Sequence, residues 1–307
     1  MQRNKKEYLK LMLKGCMMGA ADAVPGVSGG TVAFISGIYQ ELLQSLSRLG
    51  PAAIKILYQQ GFAACWSYIN GTFLSVLLFG MLSSIVLLSN LVLYSLANYP
   101  QVLWGFFFGL ICASTLVLAK SIEQWGRACI AVFIAGTLVS YSLTNMTASV
   151  LDPSMVNVFF AGMLAICAMI LPGISGSFIL LLLGLYSYIL SAVKSADMLV
   201  LMVFALGCLA GLLSFSRVLN WLFQHYKNLT LALLTGFLLG SLNKVWPWKE
   251  TLSTRINSHG EEVADLQQNV SPFVYQQITG ADSYLLIACL LAFLGAAIIL
   301  LFERTHR

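Results

Sequence analysis

The segment VPGVSGG at 24–30 returns as LPGISGS at 171–177, and both runs join conformationally free glycines to a serine hydroxyl. Glycines at 26, 29, 30, 173 and 176 let a ligand approach the main chain closely. Ser28, Thr31, Ser175 and Ser177 add hydroxyl donors. A helix beginning at 26 or 174 points unpaired amides and the positive end of its dipole at the turn, which suits an anion and phosphate in particular. The anion-binding set expected on this reasoning is Gly26, Ser28, Gly29, Gly30, Thr31, Gly173, Ser175, Gly176 and Ser177, with Arg217 as the charge-matched contact. Arg217 lies within an apolar stretch, where charge is costly and marks function; the plainer reading is a side chain reaching back to the aqueous end. Asp22 precedes the first turn, and Lys14 lies two helical turns before it. They are candidates for a protonation or coupling-ion site, although Asp22 equally suits the exposed amides of a broken helix. The small residues themselves also serve close helix packing.

Two other chemistries fail on the same residues. Gly26-Val27-Ser28-Gly29-Gly30 fits the G-x-S-x-G pattern of serine hydrolases, which needs a strand–turn–helix setting and a His–Asp pair. The three histidines, 225, 259 and 306, fall in a connection, a polar loop and the tail, and the second copy breaks the pattern at Ser177. No Gly-Lys-Ser/Thr follows either turn, so neither is a P-loop. The seven cysteines are scattered singly, which argues against disulfides and against a metal site. No cofactor is expected.

The elements that must position the turns belong to a membrane. Of 307 residues, 59% are hydrophobic and 9% charged, against roughly 25% charged in soluble domains. Five of the 17 basic residues lie in the first 14, a cytoplasmic anchor rather than a nucleic-acid patch. Lys14 and Asp22 interrupt the N-terminal apolar region, so a cleavable signal is not expected. A hydrocarbon core of ~30 Å takes about 20 apolar helical residues. Spans are predicted at 72–96, 100–119, 128–147, 199–223, 229–243 and 284–302, the fifth being short, with an interfacial helix at 51–70. Helical segments 7–22 and 26–46 are separated by Pro25-Gly26, and 155–170 and 174–193 by Pro172-Gly173. Each pair reads as a re-entrant hairpin whose turn lines a cavity.

Pro25, Gly26, Ser28, Gly29, Gly37 and Tyr39 align with Pro172, Gly173, Ser175, Gly176, Gly184 and Tyr186 at one offset of 147. Gly105-Phe106-x-x-Gly109 also returns as Gly236-Phe237-x-x-Gly240. The expected fold is an all-α polytopic membrane protein of two halves, 1–150 and 151–307, each a hairpin plus three spans. Three crossings between the hairpins invert the second half. Lys120, Arg127, His225, Lys227, Arg304 and Arg307 favour cytoplasmic loops and termini, leaving 98–101, 152–154 and the polar 244–283 loop outside. Inverted repeats with broken helices are the architecture of secondary transporters.

The motifs KGCMMGAADAVPGVSGGT (14–31), GIYQELL (37–43), LPGISGSFILLLLGLY (171–186), SRVLNWLFQHY (216–226) and GFLLGSLNKVWPW (236–248) are long and distinctive. With them the chain resembles the bacterial polyprenyl-phosphate transporter family over nearly its whole length. The resemblance implies an undecaprenyl-phosphate translocase, not an enzyme, in the bacterial cytoplasmic membrane. Such proteins return the lipid carrier of peptidoglycan synthesis from the outer to the inner leaflet, with a proton or ion as a possible driver. The turns would take the phosphate and membrane lipid the isoprenoid tail. Trp246 and Trp248 suit an interfacial anchor. The competing readings are a transporter of a small soluble anion and a membrane lipid phosphatase, which would need a nucleophile with a positioned base.

Overall fold

The computed structural model describes residues 3–22, 28–146, 151–256 and 262–306. The first half runs α1 (Lys5–Asp22), α2 (Gly29–Ile35), α3 (Tyr39–Ser47), α4 (Pro51–Gln60), α5 (Phe62–Tyr68), α6 (Gly71–Asn98), α7 (Pro100–Lys120) and α8 (Arg127–Asn145). The second runs α9 (Met155–Ile170), α10 (Gly176–Leu182), α11 (Tyr186–Ser195), α12 (Met198–His225) and α13 (Lys227–Ser241). It continues through strands β1 (Lys249–Ile256) and β2 (Glu262–Asn269) to α14 (Pro272–Thr279) and α15 (Leu285–His306).

The fold is mostly helical, as expected, but not all-α. The polar 244–283 loop holds an antiparallel hairpin, Lys249 opposite Asn269, and then a short helix. Thr251, Thr254 and Ile256 in β1 and Val263 in β2 are β-branched residues, which favour a pleated ribbon over helix. The expected return arms 26–46 and 174–193 are each two helices. Gly37 (φ 74°) and Gly184 (φ 71°) adopt the left-handed conformation that ends α2 and α10, and α10 meets α11 at 110°. The interfacial helix expected at 51–70 is likewise two, α4 and α5, parted by Gly61 and exposing Tyr58, Phe62 and Trp66.

Helices α6, α7, α8 and α12 are long and apolar enough to cross a membrane. The apolar part of α15, Leu285–Leu301, is slightly shorter. The span expected at 229–243 appears as α13, whose 15 residues rise only about 22 Å. Leu231, Ala232, Leu234 and Leu238 are buried along it, so α13 is a core helix. Outward-facing side chains such as Phe79, Val86, Leu87, Leu138, Leu206 and Phe293 form an apolar exterior. Water would not tolerate so much contiguous apolar surface, and this is a multi-pass membrane protein.

Packing repeats as the sequence does. Within the halves, α1 lies against α6 and α9 against α12; across them, α7 lies against α15 and α13 against α8. Small residues make these contacts close. A Cβ on Gly109 would collide with the Ala292 carbonyl of α15, and one on Gly240 with the Thr137 carbonyl of α8. The recurring Gly-Phe-x-x-Gly motif is thus a helix-packing device at both positions.

Candidate functional site

Ser28 opens α2 with an extended backbone, and its hydroxyl accepts from the Gly30 amide at 3.1 Å. The Gly29 amide is taken by Asp22 Oδ1 at 2.6 Å and the Thr31 amide by the Ser28 carbonyl at 2.9 Å. The first-turn amides expected to await an anion already have acceptors. Both helix starts are shifted, from 26 to 29 and from 174 to 176. With seven residues each, α2 and α10 are too short to sum a strong dipole. Gly26 lies outside the described residues, with the first Pro-Gly break.

The two turns meet, although they are 147 residues apart. Ser28 Oγ donates to the Met169 carbonyl at 2.8 Å, and the Tyr39 hydroxyl to the Ile170 carbonyl at 3.1 Å. In return the Gly173 amide, in a left-handed residue (φ 86°), donates to Thr31 Oγ1 at 2.9 Å. Carbonyls freed where α9 ends are thereby satisfied by the other hairpin. Gly30 sits so close to the Ile170 carbonyl that no side chain fits there. Ser28 and Thr31 are buried, and the tips form one interlocked unit.

The second turn is less closed. Ser175 begins α10 without capping an amide, and its hydroxyl pairs with that of Ser177 at 2.8 Å. Gly173 and Ser175 face a small cavity shared with Ser140, Thr144, Phe178 and Lys244. A larger cavity, about 260 Å³ and partly open, lies beside the first hairpin. Met17, Ala21, Val32, Phe106, Leu110 and Ile299 give it an almost wholly apolar wall.

The sequence model described as undecaprenyl phosphate translocase-like matches residues 18–263, both turns included. The chain belongs to this family. A polyprenyl-phosphate transporter of Vibrio cholerae serotype O1 is 48% identical over 297 residues, covering 97% of this chain and 96% of that protein. One from Staphylococcus aureus is 34% identical over 255 residues, covering 77% and 85%. No solved structure gives a significant match.

The remaining candidates of this translocase-like chain have other neighbours. Arg217 is exposed on α12 and donates to the carbonyls of Ser47 (3.3 Å) and Leu49 (2.8 Å). It caps the end of α3, as a cation does at a helix C-terminus, and is not gathered with the turns. Lys14 Nζ donates to the Ser36 carbonyl at 2.6 Å, at the break between α2 and α3. Asp22 is at the first turn, as expected, with Oδ1 on Gly29 and Oδ2 buried without a partner among the described residues.

Two groups near the second turn escaped the sequence reading. By sequence Lys244 and Lys249 are two charges of the polar 244–283 loop, yet Lys244 lines the small cavity and Lys249 packs over Trp104. The available signal was the run Lys244-Val-Trp-Pro-Trp-Lys249, two cations enclosing two tryptophans directly after a short helix.

Proposed function

We propose that this protein carries polyprenyl phosphate across the bacterial cytoplasmic membrane, from outer to inner leaflet, returning the carrier of cell-wall synthesis for reuse. The observation that carries the proposal is the partly open, apolar cavity of about 260 Å³ beside the polar hairpin tips. An amphiphile presents those two chemistries together, whereas a small soluble anion has no use for the apolar part. The names of both relatives support the same substrate.

The hairpins are re-entrant and the halves inverted. Support comes from the repeated pairings, α1–α6 with α9–α12 and α7–α15 with α13–α8. Rocking about the interlocked tips then exposes a headgroup to each leaflet in turn. The headgroup lies among Ser28, Gly29, Gly30, Thr31, Gly173, Ser175, Gly176 and Ser177; Arg217 and Lys14 hold the helix ends around it. Asp22 is the proton-coupling group, a reading supported by its buried Oδ2, which has no partner among the described residues. No bond of the phosphate is broken.

The test is headgroup translocation in proteoliposomes, with labelled polyprenyl phosphate beside an ordinary phospholipid and with or without a proton gradient. Selective movement of the polyprenyl phosphate is expected, with no inorganic phosphate released. Equal rates in empty liposomes would remove the lipid reading. Release of phosphate would make the protein a phosphatase.

A further inference from the structure

Beyond the turns, the chain places two ammonium groups close together against aromatic rings. Lys244 follows α13 by three residues, its amide bonded to the Ser241 carbonyl at 2.9 Å. Its Nζ stands 4.8 Å from the centre of the Phe178 ring, on α10. Lys249 Nζ, 5.2 Å from the centre of the Trp104 ring of α7, donates to the Lys244 backbone carbonyl. Both side chains are half-buried. Among the described residues neither meets a carboxylate, and the ion pairs present are Arg3–Glu41 and Lys227–Glu123.

Neighbouring cations held out of water without a counter-ion are costly. Aromatic faces recover part of that cost, but a bound anion would recover far more. Burial holds Lys244 below the usual lysine range and brings Lys249 down to about 7, with the like charge of Lys244 adding to it. The cavity beside Lys244 is about 10 Å³, room for about one water. An anion there must therefore extend outward from the second turn toward Lys249 instead of being enclosed.

A phosphate monoester fits this layout. It has three acceptor oxygens and up to two charges, and two lysines on flexible stems can reach it without the rigid fork an arginine would impose. The Ser175 hydroxyl, which caps nothing, is a third donor on the same side. We propose that Lys244 and Lys249, with Ser175 of the second turn, form a reception site for the phosphate headgroup on the 244–283 side of the molecule. The proposal rests on the polyprenyl-phosphate reading and assigns the residues that meet the substrate before the hairpin tips do. The same chemistry would also take free phosphate, so the test separates the two sources.

Full-length protein in detergent is titrated with farnesyl phosphate, with farnesol and with inorganic phosphate, following tryptophan fluorescence. Trp104 lies at the site and Trp246 meets Trp248 edge-on close by, 5.7 Å between ring centres. Farnesyl phosphate is expected to bind wild type, and the Lys244→Gln/Lys249→Gln protein at least about tenfold more weakly. The Lys→Arg pair should keep most of the affinity, and farnesol binding should not change. Should the glutamine pair fail to fold, Lys249→Met replaces it, since an apolar side chain suits that environment.

Undiminished farnesyl phosphate binding by the neutral variants overturns the lysine site and leaves the polyprenyl reading standing. Inorganic phosphate binding as tightly as farnesyl phosphate, and lost in the neutral variants, keeps the site and overturns the lipid reading. Wild type that binds neither phosphate overturns both.

Discussion

At the first turn Asp22 reaches across to the Gly29 amide, Ser28 caps Gly30, and the Ser28 and Thr31 hydroxyls are both engaged with the opposite hairpin. At the second turn the residue aligned with Asp22 is Met169, an apolar side chain whose carbonyl serves as an acceptor for Ser28. There Ser175 caps no amide, and the cation of Lys244 lines the same small cavity. Near-identical turn sequences thus give a self-neutralised, locked end and a positive, open one. Repetition supplies matched backbones, while single substitutions around them set the hydrogen bonding and charge at each turn.

That contrast can be broken at the serines first. Ser28→Ala with Thr31→Val removes two of the three hydroxyls that join the hairpins, leaving the part-buried Met169 carbonyl and Gly173 amide without those partners. At about 1–3 kcal/mol for each orphaned group, the detergent-solubilised protein should lose several degrees of melting temperature. Ser175→Ala should cost well under half as much, and equal losses at the two turns would refute the asymmetry. The next effect in size is the pH dependence of Lys249. Burial brings its pKa to about 7, below the ordinary lysine value of 10.5, so between those values the unfolded chain binds a proton that the folded one releases, and stability rises with pH. Lys249→Met should therefore melt above wild type at pH 7, with the gap closing toward pH 10.5; a constant gap would place Lys249 in water. Asp22→Asn keeps an acceptor for Gly29 and should change melting little while abolishing the response of transport to a proton gradient. Full gradient sensitivity in that variant would reduce Asp22 to a cap. Arg217→Ala comes last: translocation should change less than the melting temperature does, because the guanidinium serves α3.

The paired turns were legible because sequence periodicity and helix-breaking chemistry are local. Gly37 and Gly184 align at the same offset as the turns and prove to be left-handed at both positions. The division of the return arms at those glycines was missed, since composition reads helical on either side. The partners of the turn hydroxyls were not legible at all. Ser28 and Met169 are 141 residues apart, and a contact at that separation leaves no mark in a local pattern. Lys244 and Lys249 were misjudged for a related reason. A lysine after a helix in a polar loop is ordinarily solvated, and only the packing of Trp104 and Phe178 removes these two from water. The β-hairpin was hidden by the same assumption that polar means unstructured.

The shortness of α13 has an electrical meaning. On the proposed path beside α13, a helix of about 22 Å in place of a full ~30 Å crossing would let the membrane potential fall over a shorter distance. A charge crossing 100 mV is worth about 2.3 kcal/mol, and an anion moving inward travels against an inside-negative potential. That work does not depend on the length of the path, but a shorter path gathers the whole of it into a shorter step of the proposed inward movement. A dianionic headgroup crossing beside α13 should then move faster when the potential is collapsed, or when protons accompany it.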